Sequence, residues 1–166
     1  MNYKKVFIGL GSNVGNRLLN IEKAIDLINE NSNCKVVKTS SIFESVAFGV
    51  KEQNNFLNSV VCIETDFDPA NLLKLLKNIE NKIGRTKTEK WGPREIDLDI
   101  LLFDNLVFSE NDLTIPHKGI QERDFVMVPL TEIEPEIVHP VLKDKIKNII
   151  LKADKNIIGK ISTENN

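Results

Sequence analysis

The sequence predicts an α+β fold: a βαββαβ, ferredoxin-like core with a mainly antiparallel sheet. Three observations predict it. Apolar segments of strand length recur near residues 5, 34, 56 and 96. Stripes of helical period lie between the first and second of these, and between the third and fourth. The second and third are separated by a loop and not by a helix.

The first strand is Lys5 to Leu10. The stretch "GLGSNVGNR", Gly9 to Arg17, follows as a tight strand-to-helix turn with Asn16 as N-cap. Leu18, Ile21, Ile25 and Ile28 then form the stripe of helix one. The glycines do not make a dinucleotide fingerprint. Gly9 and Gly11 match the first two positions of G-x-G-x-x-G, but Val14 occupies the third, and no acidic residue ends the second strand. That second strand is Cys34 to Phe43. A long loop, "ESVAFGVKEQNN", leads to the third strand, Phe56 to Ile63. Helix two has clear punctuation: Asp68 as N-cap, Pro69 in the first turn, Gly84 as stop. Its stripe is Leu72, Leu76, Ile79 and Ile83. The fourth strand alternates Ile96, Leu98, Ile100 and Leu102 with a set that begins Asp97, Asp99. Beyond it, "NLVF" predicts a short strand, Gln121 to Val128 and Lys143 to Ala153 predict helices, and "STENN" predicts a frayed tail.

Composition bounds the function. With 166 residues, 41% apolar and 28% charged, the chain reads as one domain over residues 1–160 with a polar tail over 161–166. A net charge of −2 argues against a whole-surface nucleic-acid binder, whose footprint is basic. No run approaches the ~18 apolar residues of a membrane span. The N-terminus reads as a first strand and not as a signal peptide. Cys34 and Cys62 lie far apart, which fits buried thiols in a reducing cytoplasm better than a metal site or a disulfide framework.

Three features carry chemistry. Asp97 and Asp99 are two apart on a strand, so their carboxylates share a face. At ~6.5 Å, from the strand rise, and an effective dielectric of about 20, they repel by roughly 2.5 kcal/mol. A divalent ion offsets that repulsion, and one or two carboxylates plus substrate phosphates is the usual way magnesium is held. The alternative is a pair of salt bridges, one of them to Arg94. Second, the chain uses Arg at four positions only, 17, 85, 94 and 123, against 18 Lys. The bidentate guanidinium suits phosphate oxygens, and Arg85, Arg94 and Arg123 flank motif-like segments. Lys87, Lys90 and Lys118 add positive charge, and His117 can bond a phosphate. Third, Phe56 and Asn58 share a strand face. A ring can stack on the Phe, and the amide can satisfy a heterocycle's polar edge or, alternatively, a nearby loop. No Walker motif is present, so this is not a P-loop enzyme.

The segments "GLGSNVGNR", "FLNSVV", "IENKIGR", "WGPREIDLDILLFDN" and "LTIPHKGIQERDFVMVPL" resemble, in order and spacing, the 6-hydroxymethyl-7,8-dihydropterin pyrophosphokinases of folate biosynthesis. The resemblance covers roughly residues 5 to 150 and implies a core elaborated into a three-layer αβα domain. It implies transfer of the β,γ-pyrophosphate of ATP to the pterin hydroxymethyl group, with release of AMP. Asp97 and Asp99 then look like ligands of two magnesium ions, and Arg85 and Arg94 like the arginines that meet the triphosphate. Asn58 looks like the pterin-recognising amide, with Phe56 and Phe125 stacking on either side. Ser45, Phe48, Trp91 and Asp97 complete the pterin side, Trp91 from a loop that closes over the site. Lys77, Glu80, Lys87, Trp91, Arg94, Ile100, Thr114, His117, Lys118 and Arg123 match the nucleotide side. Val46 and Ala47 stand where the family has prolines. The resemblance further implies a cytoplasmic monomer acting on small molecules, without nucleic acid or membrane. Two other classes suit parts of the pattern: a two-metal nucleic-acid enzyme on a ferredoxin-like core, and a non-catalytic ligand-binding module.

Overall fold

Strand β1 (Lys4–Ser12) lies between two antiparallel partners in the computed structural model, which describes residues 2–49, 52–84 and 94–162. Helix α1 (Arg17–Glu30) starts where the sequence places it: the Asn16 side-chain Oδ1 accepts the Leu19 N–H at 3.1 Å. Strands β2 (Cys34–Thr39) and β3 (Ile42–Ser45) follow, then β4 (Phe56–Thr65). Helix α2 (Pro69–Ile83) is capped by the Asp68 carboxylate on the Asn71 N–H at 2.8 Å. It ends at Gly84, whose φ of +99° is the left-handed conformation that glycine adopts without penalty. Strand β5 (Asp97–Phe103) completes the βαββαβ order. The main sheet runs β5-β1-β4-β3-β8, with β2 also beside β4, and the pairings are antiparallel. The β8 of this order is Ile157–Ile161.

The structure corrects the sequence reading at five points. The second strand is two strands, because the Ser40 hydroxyl enters the ladder and accepts the Val60 N–H at 2.9 Å. The Ser40 N–H donates to the Val60 carbonyl, also at 2.9 Å, and the chain bends there before pairing resumes as β3. The short strand expected at "NLVF" instead begins on its last residue, as β6 (Phe108–Glu110), and forms a separate hairpin with β7 (Leu113–Ile115). The predicted helix over Gln121 to Val128 is a 3-10 turn, Ile120–Glu122, followed by α3 (Asp124–Ile133), which runs on past the prediction with Pro129 inside it. The helix expected over Lys143 to Ala153 shrinks to α4 (Ile146–Ile149) and a further 3-10 turn. Strand β8 was not expected at all; it carries the chain to Ile161, one residue into the segment read as tail.

Two cores flank the sheet. Leu72, Leu76 and Ile79 of α2 and Ile21 and Ile28 of α1 pack on one face with Val6, Ile8, Val61 and Ile63. Met127 and Leu130 of α3 pack on the other with Phe7, Val60 and Cys62. This makes helix, sheet and helix layers. A bulge at Phe7/Ile8 shifts the register of β5, so Leu98, Ile100 and Phe103 join the first core while Leu101 and Leu102 join the second. Leu102 thus departs from the expected alternation with Leu98 and Ile100. Both cysteines are free and buried. Among the described residues no helix is long and apolar enough to cross a membrane.

Candidate active site

The cleft is built on three neighbouring strands. Gly11 of β1 pairs with Asn58 of β4 on one side and with Asp97 of β5 on the other. Gly9 likewise stands between Val60 and Asp99. Strand parity puts all of them on the α3 face. Two strand spacings separate Asn58 from Asp97 by roughly 10 Å, and glycine leaves that interval open. A cavity of about 600 Å³ opens there, lined by Gly9, Gly11, Asn58, Asp97 and Asp99 among others. A Cβ on Gly11 would stand 3.6 Å from both Asn58 Oδ1 and the Phe56 ring, inside the space the cavity occupies.

One end is apolar and aromatic. Phe56, Phe48 and Phe125 line it, with Ser45 and Val46. The Phe48 and Phe125 rings lie 6.1 Å apart at 56°, and the Arg123 guanidinium sits 5.2 Å above Phe48. Asn58 is buried, and its amide donates to Ser45 Oγ at 2.8 Å and to the Phe43 carbonyl at 3.3 Å. Both amide hydrogens are therefore used inside the protein. What Asn58 offers the cavity is its carbonyl oxygen, an acceptor.

The other end is charged. Arg94 Nη1 meets Asp97 Oδ2 at 2.9 Å, the salt bridge weighed in the sequence. Arg94 Nε is buried with no hydrogen-bond partner among the described residues, so the guanidinium keeps a donor in reserve. Burial, and next the Asp97 charge, push the Asp99 carboxyl up to about 7. Arg123 and Lys77 oppose that rise, but one carboxylate of the pair still lacks an adequate counter-charge. Among the described residues no three His, Cys, Asp or Glu side chains could hold a metal by themselves. A pair of carboxylates, one of them short of counter-charge, fits a magnesium ion that brings phosphate oxygens as its remaining ligands. His117 is pushed down to about 4, by burial first and then by Arg123. Its Nδ1 accepts the Gly119 N–H at 3.1 Å, which leaves the proton of the neutral ring on Nε2. Burial also lowers the Arg123 pKa, against the pull of Asp99 and Asp97.

Lys77, His117 and Lys118 line this cavity and also a second one of about 870 Å³, which Asp99, Ile100, Asp112 and Thr114 share. Glu80 is placed differently from the expectation. It is buried beneath β5, accepts the Leu98 N–H at 2.9 Å and meets Lys77 Nζ at 3.4 Å. It lines neither cavity and serves to hold the strand that carries the two aspartates. Arg85, Lys87, Lys90 and Trp91 lie outside the described residues.

A family model described as 7,8-dihydro-6-hydroxymethylpterin-pyrophosphokinase matches residues 7–135. The chain belongs to that family. It is 44% identical over 142 residues to a 2-amino-4-hydroxy-6-hydroxymethyldihydropteridine pyrophosphokinase from Aquifex aeolicus, covering 86% of this chain and 88% of the relative. A relative of the same description from Bacillus subtilis is 43% identical over 127 residues, 76% of each chain. Among solved structures, the wild-type Plasmodium falciparum HPPK-DHPS with pteroate superposes with a TM-score of 0.75 at 16% identity, over 91% of this chain and 42% of that one, a likeness of fold. Membership makes the chain an ATP-dependent diphosphotransferase of folate biosynthesis, one that moves a pyrophosphoryl group to a hydroxymethylpterin. Sequence reasoning missed several residues of the pyrophosphokinase cleft, among them Gly9, Gly11, Gly119, Glu122 and Val126, which line it too. The signal for the glycines was available, since Gly9 and Gly11 share strand parity exactly as Asp97 and Asp99 do.

Proposed function

We propose that the aromatic end of the cleft holds 6-hydroxymethyl-7,8-dihydropterin and the charged end holds the triphosphate of ATP. The observation that carries this is the row Asn58–Gly11–Asp97 across three strands. An acceptor oxygen stands at one end, paired carboxylates at the other, and a side-chain-free strip lies between, wide enough for a fused bicyclic ring.

Asn58 Oδ1 accepts an N–H from the pterin edge, and Phe56 and Phe125 flank the ring. The hydroxymethyl group then points toward Asp97 and Asp99. These two carboxylates hold magnesium, two ions in our reading, which when bound neutralises the triphosphate and lowers the pKa of the attacking hydroxyl. Arg94 swings its free donor to a phosphate oxygen, and Arg123 and Lys77 balance charge from the flanks. His117, neutral with its proton on Nε2, donates to a phosphate without adding to the positive field. Ile100 and Thr114 border the nucleotide base. Arg85, Lys87 and Trp91 act from the segment that precedes Arg94. Phosphoryl transfer asks for positioning and charge neutralisation more than for covalent help, and these groups supply both.

The hydroxyl attacks the β-phosphorus, a bond to oxygen forms there, and the α,β-bridging oxygen leaves with AMP. ATP labelled at the β-phosphorus should give labelled pterin product and unlabelled AMP, only with magnesium and pterin both present. Stoichiometric ADP with a pterin monophosphate would defeat this reading.

A further inference from the structure

We infer that Asp124 is a positioning residue for the pterin half of the cleft, acting through the C-terminal strand. This rests on the function proposed above. Asp124 is the first residue of α3 and is buried. An aspartate in the first turn ordinarily serves the N–H groups of its own helix. This one turns away. Its Oδ2 accepts the backbone N–H of Asn156 at 2.9 Å and of Ile157 at 3.0 Å, more than thirty residues along the chain. Its Oδ1 is buried with no hydrogen-bond partner among the described residues, so the carboxylate's contacts are spent on that one tie.

The tie closes a circuit around the cleft. The Asn156 carbonyl accepts the Val46 N–H at 2.9 Å, and Ile157 pairs with Ser45 at the start of β8. Ser45 and Val46 line the cleft, and Ser45 Oγ takes the amide of Asn58. Phe48, two residues on, meets Phe125 and the Arg123 guanidinium. Arg123 and Phe125 are the two neighbours of Asp124. The carboxylate therefore joins the α3 wall to the β3 wall through residues 156–157, and the distance between those walls sets the width of the slot. A buried, charge-assisted bond to two N–H groups holds that width better than the tilted ring contact alone.

The test separates this from simple structural support. In Asp124→Ala, the Kd for the pterin should rise about tenfold while that for a non-hydrolysable ATP analogue with magnesium changes by less than about twofold, the loss of one strong charged hydrogen bond felt at one end of the cleft. Asp124→Asn keeps an acceptor oxygen and should recover most of the pterin affinity. Val46 amide exchange, followed without ligand, should be faster in both variants and fastest in Asp124→Ala. Equal weakening of both ligands, or a lowered Tm with unchanged pterin Kd, would overturn the inference. If Asp124→Ala does not fold, Asp124→Asn decides: Val46 exchange at the wild-type rate overturns the latch. Failure of the wild-type protein to bind pterin would instead overturn the proposed function, and the exchange measurement would still report on the tie.

Discussion

Gly119 illustrates how much of this site depends on single atoms. A Cβ there would come within 2.9 Å of Arg123 Nε and 3.0 Å of its Cζ, so the guanidinium rests where a side chain would otherwise be. Its φ of −101° is open to any residue, so alanine strains no backbone. Gly119→Ala should therefore leave Tm within a few degrees, move Arg123, and lower kcat/KM by about tenfold, the scale of one charge-assisted contact. Wild-type kinetics in Gly119→Ala would mean Arg123 does not act at the reacting phosphates. Asp97→Ala and Asp99→Ala should each cost far more, a loss on kcat beyond a hundredfold or so, since transition-state charge stabilisation of this kind is typically worth several kcal/mol. Retention of about a tenth of the activity in either would sink the shared-metal assignment. Asn58→Ala should weaken pterin binding by roughly tenfold and spare ATP, because it removes one buried acceptor; calorimetry with each ligand in turn would separate the two. The Asp pair was legible in the sequence because strand period alone puts both carboxylates on one face. The orientation of Asn58 was not, since that depends on Ser45 and Phe43 consuming its two donors, and the sequence reading divides β3 between the end of the second strand, at Phe43, and the loop that begins at Glu44.

Helix α2 and strand β5 act as a unit at the scale of elements. Glu80 reaches from the last turns of α2 to the Leu98 N–H, between the two aspartates, while Lys77 of the same helix lines the cleft. Anything that loosens the start of α2 is felt by the whole helix. Asp68→Ala removes the cap on the Asn71 N–H and should cost about 1 kcal/mol in denaturant unfolding, with kcat little changed, because the packing of Leu72, Leu76 and Ile79 still seats the helix. A cost near zero would mean that packing alone fixes the helix start. The elements with strong local signals, α1 and α2 with their caps and stripes, were readable from sequence to within a residue or two. The elements set by long-range contacts were not. Strand β8, "IIGKI", carries a Gly and a Lys and has little periodicity of its own; it exists because β3 offers an edge and Asp124 anchors its first residues. The second strand breaks at Ser40 because one hydroxyl competes with the backbone for the Val60 N–H, and a propensity argument does not register that.

At the scale of the whole molecule, two titrations of opposite sign meet across one cleft, while His139, lowered by burial outside it, is common to wild type and variants. His117 has its folded pKa pushed down to about 4, from an ordinary value of 6.5. Below pH 6.5 the unfolded chain takes up a proton that the folded chain refuses, so this group withdraws stability as pH falls from 6.5 toward 4. Asp99 has its folded pKa pushed up to about 7, from 3.8. Over the window from 7 down to 3.8 the folded chain holds a proton that the unfolded chain lacks, so this group adds stability as pH falls. In the wild-type protein, free of metal and nucleotide, the two largely cancel between pH 7 and 5. Each variant removes one side of the balance. In His117→Asn, the Oδ1 can still accept the Gly119 N–H, but the histidine penalty is gone, so unfolding free energy relative to wild type should grow by on the order of 2 kcal/mol between pH 7 and pH 5. In Asp99→Asn the difference from wild type should run the other way over the same interval. The carboxylates held low by lysines, Glu134 and Glu136, titrate below this window and drop out of the comparison. Urea unfolding at pH 7, 6 and 5 with a chelator present would measure both differences. Parallel pH profiles for wild type and His117→Asn would mean that His117 keeps its ordinary pKa of 6.5 in the folded cleft and takes up its proton there as it does in the unfolded chain. It would then meet the triphosphate as a cation below pH 6.5 and as the neutral donor only above it, whereas the assignment above keeps it neutral throughout that range.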